Sequence, residues 1–199
     1  MKIQYNAPVV LTFTFISAAV LLLKEFGIDL TYFFSVGGQM NFLDPVDYMR
    51  LFTHVIGHAN VEHFVNNFTF ILLLGPILEE KYGSKRLFTM LALTALITGV
   101  LNIVMFDTSL LGASGVVFMF IILSSVVNVQ KGHIPLTFIL IAIIFFGQEI
   151  FNVFANDNIS QFAHILGGIC GSLFGFAFSK KNNSEIPPSI ESENLFMQE

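Results

Sequence analysis

The chain is predicted to be an all-α, polytopic membrane protein built from six transmembrane helices. Three observations predict this class. Of the 199 residues, 54% are hydrophobic and only 12% charged. Phe alone accounts for 24 positions. The apolar residues gather in six runs, each close to the roughly 20 residues that cross a bilayer. A water-soluble fold of this size would lack polar surface, whereas lipid requires only that each run be helical, so that its backbone N–H and C=O groups pair internally.

The first run lies near Tyr5–Leu23; it is long and lacks a clear small-x-small cleavage site, so it reads as a retained span rather than a signal peptide. Gly27–Thr53 follows as a long connection mixing Phe33, Phe34, Met40, Phe42 and Leu43 with Asp44-Pro45 and Arg50, a composition suited to the membrane interface. The second run, near His63–Leu78, carries His63 and Asn67 at i,i+4 on one helix face. Glu79, Lys81 and Arg86 then read as a solvated turn before the third run, near Leu87–Phe106. Gly112-Ala113-Ser114-Gly115 stands at the mouth of the fourth run, near Ser114–Val129. In the fifth, near Ile134–Ile150, Phe145 and Phe146 read as lipid-facing or packing residues, and Gln148 and Glu149 as the water boundary. The sixth, near Ile159–Phe178, opens on His164, with Gly167, Gly171 and Gly175 three, seven and eleven residues later on its face. Residues 1–179 thus form one membrane domain, and 180–199, polar and acidic with Pro187-Pro188, a disordered tail.

Lys and Arg fix the expected orientation. With the N-terminus cytoplasmic, Lys2, Lys81, Lys85, Arg86, Lys131, Lys180 and Lys181 lie inside and only Lys24 and Arg50 outside. Both termini are then cytoplasmic, and His63, Asn67, Ser114 and His164 all fall within about two helical turns of the extracytoplasmic mouth. The net charge of −5 includes no basic patch, so the expected partners are the lipid bilayer and other membrane proteins, not nucleic acid. Cys170, alone in the chain, packs as a small apolar residue and forms no intrachain disulfide.

Polar groups at one depth of a span are costly and mark a functional site by default. Ser114, at a helix start where backbone N–H groups are free, is the candidate nucleophile. His164, in a partly desolvated site that disfavours its charged form, is the candidate base. His63 and Asn67 supply donors for an oxyanion hole alongside the Ser114 amide. Phe118, one turn from Ser114, forms an aromatic wall. Asp107 and Asp157 lie in connecting loops, so a Ser–His dyad is expected rather than a triad. No cofactor or metal is called for.

These residues resemble the rhomboid intramembrane serine proteases. The pattern is His54-x3-His58-x4-His63-x3-Asn67, Gly112-Ala113-Ser114-Gly115 and Ala163-His164-x2-Gly167-x3-Gly171, in that order, within about Asp47 to Phe178. The resemblance implies Ser114 as nucleophile, His164 as base, and His63 and Asn67 as oxyanion-hole partners. It matches Arg50 to the arginine of the family's membrane-dipping first loop and Glu79 with Gly83 to its Glu-x3-Gly turn. Met49 stands where a tryptophan often precedes that arginine, and Phe118 where a tyrosine often packs on the histidine.

Each residue also has a structural explanation. Gly-x-Ser-Gly in a membrane helix, Gly112 and Gly115 included, commonly serves packing, as do Gly167, Gly171 and Gly175 under every hypothesis. His54 and His58 at i,i+4 spacing are read as structural hydrogen-bonding residues that hold the first loop on the bundle, with metal binding the alternative. A metal-dependent protease would need a His-Glu-x-x-His helix, and an aspartyl type paired Asp within spans; neither occurs. Broken helices in repeated halves, the mark of a transporter, are not evident. The rival reading is a catalytically silent rhomboid-like module that binds membrane proteins.

Overall fold

The computed structural model describes residues 2–37, 40–126, 136–137, 139–141, 143–144 and 158–182. Over most of these residues run α1 (Pro8–Glu25), α2 (Pro45–Thr53), α3 (Val61–Tyr82), α4 (Ser84–Met105), α5 (Ser114–Val126) and α6 (Asn158–Asn182), with a 3₁₀ turn at Thr31–Phe34. Among the described residues α1, α3, α4 and the Gln161–Phe178 stretch of α6 are long and apolar enough to cross a membrane, and α5 is a shorter apolar helix. The fifth expected span falls largely outside the described residues; its described positions, 136–137, 139–141 and 143–144, are helical. Of the tail, all beyond Asn182 is outside them, but α6 runs to Asn182, past the boundary expected at 179.

The ends of the helices follow local chemistry. α1 starts at Pro8, not at Tyr5, because proline suits the first turn, where its missing N–H costs nothing. The N–H groups of Val9 and Val10 in that turn are bound by the two oxygens of Glu79, at 3.0 and 3.1 Å. Glu79 is therefore buried and caps α1, a correction to the solvated turn expected for it. A helix N-terminus offers free donors and a positive dipole end, and a carboxylate from the neighbouring helix satisfies both. α3 begins at Val61 because the Asn60 side chain accepts the His63 N–H at 2.8 Å. Gly83, at φ +80°, ends α3 and begins α4 in one residue.

α5 is apolar all round and correspondingly enclosed, packed against α3, α4 and α6. Val116, Met119, Phe120, Ile122 and Leu123 are all buried. Where α1, α3 and α5 meet, a Cβ added at Gly75 would sit 2.6 Å from Val10 and 3.0 Å from Phe120, so only glycine allows that approach. The first loop packs on α4 through α2 and is braced within itself. Arg50 donates through Nε to the Ser35 carbonyl at 2.5 Å, pairs with Asp47 at 2.6 Å and lies 4.7 Å over the Tyr32 ring. Phe42, Leu43, Tyr48, Met49 and Phe52 remain exposed on it.

Candidate active site

The segment between α4 and α5 is held before α5 begins. Val36 and Leu110 exchange backbone hydrogen bonds at 2.9 and 2.8 Å, Gly112 donates to the His54 carbonyl at 2.9 Å, and Asn102 donates to the Thr108 carbonyl at 3.0 Å. Gly112 has φ +119°, and a Cβ there would lie 2.5 Å from Cε1 and 2.7 Å from Nε2 of His63. Glycine is required twice, for the backbone conformation and for the room. The consequence is that the His63 ring lies against the backbone two residues before Ser114.

Ser114 is half-buried and opens α5. The first backbone bond there runs from Val117 to Ala113, at 2.9 Å, so the N–H groups of the preceding turn lack intrahelical acceptors. α5 then makes its most extensive contact with α6. A Cβ at Gly167 would overlap the Gly115 carbonyl, and one at Gly171 would lie 2.5 Å from the Met119 carbonyl. On the other helix, a Cβ at Gly115 would lie 3.2 Å from the Ala163 carbonyl. Two helices thus touch backbone to backbone, the small-x-x-x-small mode of membrane packing. His164 adjoins Ala163 and Ser114 adjoins Gly115, so both occupy this crossing. Phe118, one turn after Ser114, stacks on the His164 ring at 4.3 Å, with planes 6° apart.

On α3, His63 Nδ1 accepts a long 3.5 Å hydrogen bond from the Ala59 N–H, which assigns the ring proton to Nε2, the nitrogen beside Gly112. His63 is also within electrostatic reach of His164. One turn on, Asn67 is buried and its Nδ2 finds no acceptor among the described residues. A buried amide donor without a partner is expensive and calls for a ligand, a water or a functional role.

His54 and His58, before α3, are buried, and burial pushes each down from the usual histidine value to about 4. Both are neutral near pH 7. His54 Nδ1 approaches the Arg50 carbonyl and Nε2 the Thr98 hydroxyl, each at 3.2 Å, while His58 Nδ1 approaches the Ile56 carbonyl at 3.0 Å. Among the described residues no three His, Cys, Asp or Glu side chains are grouped to hold a metal. His58 stacks edge-on with His63 at 5.0 Å and lies 5.5 Å from Phe68.

Sequence reasoning missed Thr98. It is buried on α4, meets His54, and its methyl would lie 3.3 Å from a Cβ at Gly115. Thr94 and Thr98, spaced i,i+4 in an apolar run, were the available signal. The Asp47 partner of Arg50 was legible as an i,i+3 pair. Asp107 is exposed, and Asp157 lies outside the described residues.

Fold and site together define a helical integral membrane protein with a polar cluster at one end of its bundle. A family model described as Rhomboid domain matches residues 45–181, more than two thirds of the chain, and the protein belongs to the rhomboid family. Rhomboid protease GlpG of Haemophilus influenzae is 24% identical over 141 residues, which is 68% of this chain and 73% of that relative. The match runs from the start of α2 into the last turn of α6, and therefore includes every residue of the polar cluster.

Proposed function

We propose that the protein is an intramembrane serine endopeptidase that cleaves transmembrane or juxtamembrane segments of other membrane proteins with a Ser114–His164 dyad. The backbone contact between Gly115 and Gly167 carries this reading, because it joins the turn of Ser114 to the turn of His164. His164 Nδ1 is buried, which leaves Nε2 for proton transfer. Ser114 Oγ attacks the scissile carbonyl carbon and passes its proton to His164. The oxyanion is held by the Ser114 N–H, His63 Nε2–H and Asn67 Nδ2. Collapse expels the amine with the proton from His164, and water then hydrolyses the acyl-enzyme by the same route. A carbonyl in an intact helix is shielded, so substrates with Gly, Pro or small residues near the cut are favoured.

The test is cleavage of a single-span protein in detergent by the wild-type chain, Ser114→Ala and His164→Ala. Each variant should lose cleavage while keeping its thermal transition, and the double variant should be no worse than either. Equal cleavage by wild type and Ser114→Ala would remove the dyad and leave the binding module. The Lys and Arg distribution further supports an extracytoplasmic site. A cysteine replacing Asp157 in a Cys170→Ser background should react with an impermeant thiol reagent on intact cells, and one replacing Lys131 should not; the reverse pattern would invert the topology.

A further inference from the structure

At the end of the bundle remote from Ser114, α4 and α6 separate and leave a groove of about 290 Å³. It is some 14 residues along α6 from His164 to Phe178, about 21 Å at the helical rise, so it is distinct from the polar cluster. Met90, Leu93 and Phe174 line it with apolar surface, and Lys85 and Arg86 stand exposed at the α4 end. Arg86 lies 5.6 Å over the Phe178 ring, which holds its guanidinium beside the groove rather than away from it. α6 itself runs on through Lys180 and Lys181 to Asn182.

We propose that this groove is a binding site for an anionic phospholipid, with the phosphate on Lys85 and Arg86 and one acyl chain between α4 and α6. Each half of the site excludes a simpler occupant. A soluble anion uses the cations but leaves the apolar groove unexplained, and a neutral lipid does the reverse. A peptide helix, about 10 Å across with its side chains, needs a wide apolar face and leaves the two cations at the groove's end without an anion. An extended hydrocarbon chain is narrow enough, and the bilayer around this integral membrane protein supplies it. Two adjacent cations at a helix end are the arrangement that selects anionic headgroups.

The experiment is thermal unfolding of the full chain in zwitterionic detergent with added phosphatidylglycerol, phosphatidylcholine or inorganic phosphate. Phosphatidylglycerol should raise the transition by about 2–4 °C more than phosphatidylcholine does, and phosphate alone should not. Lys85→Gln/Arg86→Gln should abolish the difference by removing the headgroup contacts. Ala177→Trp should abolish it too, with both cations intact, by filling the groove; Leu93→Trp serves the same purpose should that variant not fold. The proposal is overturned by equal responses to the two lipids, by a wild-type response in the double variant, or by phosphate acting alone. A full response in the tryptophan variants would mean surface charge without a seated chain, and would overturn it equally. Unfolding is read without any cleavage assay, so the result stands apart from the fate of the dyad.

Discussion

Phe118 lies face to face on His164, with ring centroids 4.3 Å apart and planes 6° from parallel. The stack fixes the imidazole plane from below the crossing of α5 and α6, and it needs only an aromatic face, which phenylalanine supplies without a hydroxyl. In the proposed mechanism Phe118 is a positioning residue. Phe118→Tyr should keep cleavage near the wild-type rate, whereas Phe118→Ala should lower kcat by about two- to tenfold, the worth of one aromatic pair. If the alanine variant changes only KM, the ring acts on substrate rather than on His164.

Asn67 Nδ2 is buried without an acceptor among the described residues, and His63 presents Nε2 beside Gly112. His63→Ala and Asn67→Ala should each reduce kcat by about a hundred- to a thousandfold without abolishing cleavage, since the Ser114 amide remains. Treatment with a strong chelator should leave the rate unchanged. Loss of activity on chelation with recovery on adding zinc would make His54, His58 and His63 ligands instead.

A methyl at Gly167 would overlap the Gly115 carbonyl. Neither backbone can yield as a side-chain tip would, so Gly167→Ala should destabilise the bundle by more than the ~1–3 kcal/mol of ordinary overpacking. The check is a thermal scan in detergent. Gly167→Ala should lower the transition together with cleavage, while Ser114→Ala lowers cleavage alone; an unchanged transition in Gly167→Ala would refute the backbone contact.

His54 and His58 carry a pH dependence with a definite sign. Burial holds both near 4 in the folded protein, below the unfolded value of 6.5. The unfolded chain therefore takes up protons first as pH falls. Their stability contribution is whole above about pH 6.5 and is lost progressively toward pH 4, on the order of 3 kcal/mol for each. Thermal transitions measured from about pH 7 to 4.5 should fall, and His54→Gln should shallow the slope. A flat profile in the wild type would show that neither histidine is held neutral.

The sequence by itself determined the helical membrane class, because composition and apolar run length are properties of the chain that any bilayer fold must respect. It also determined which polar residues fall at one depth, since Ser114, His164, His63 and Asn67 each stand near the start of an apolar run. The cost of a polar group in lipid is paid wherever the helix is placed, so the exception shows in one dimension. Glu79 was illegible for the converse reason. Its partners, the N–H groups of Val9 and Val10, are backbone atoms about 70 residues away, and periodicity carries no information about which helix end a carboxylate will meet. Thr98 was missed likewise, its meaning lying in His54 and Gly115 on two other segments. Gly112 could be read as part of a serine motif, but its tie to the His54 carbonyl and its room for the His63 ring came only with the tertiary structure. Close approach is a relation between segments, and a chain specifies it through packing that no single segment contains.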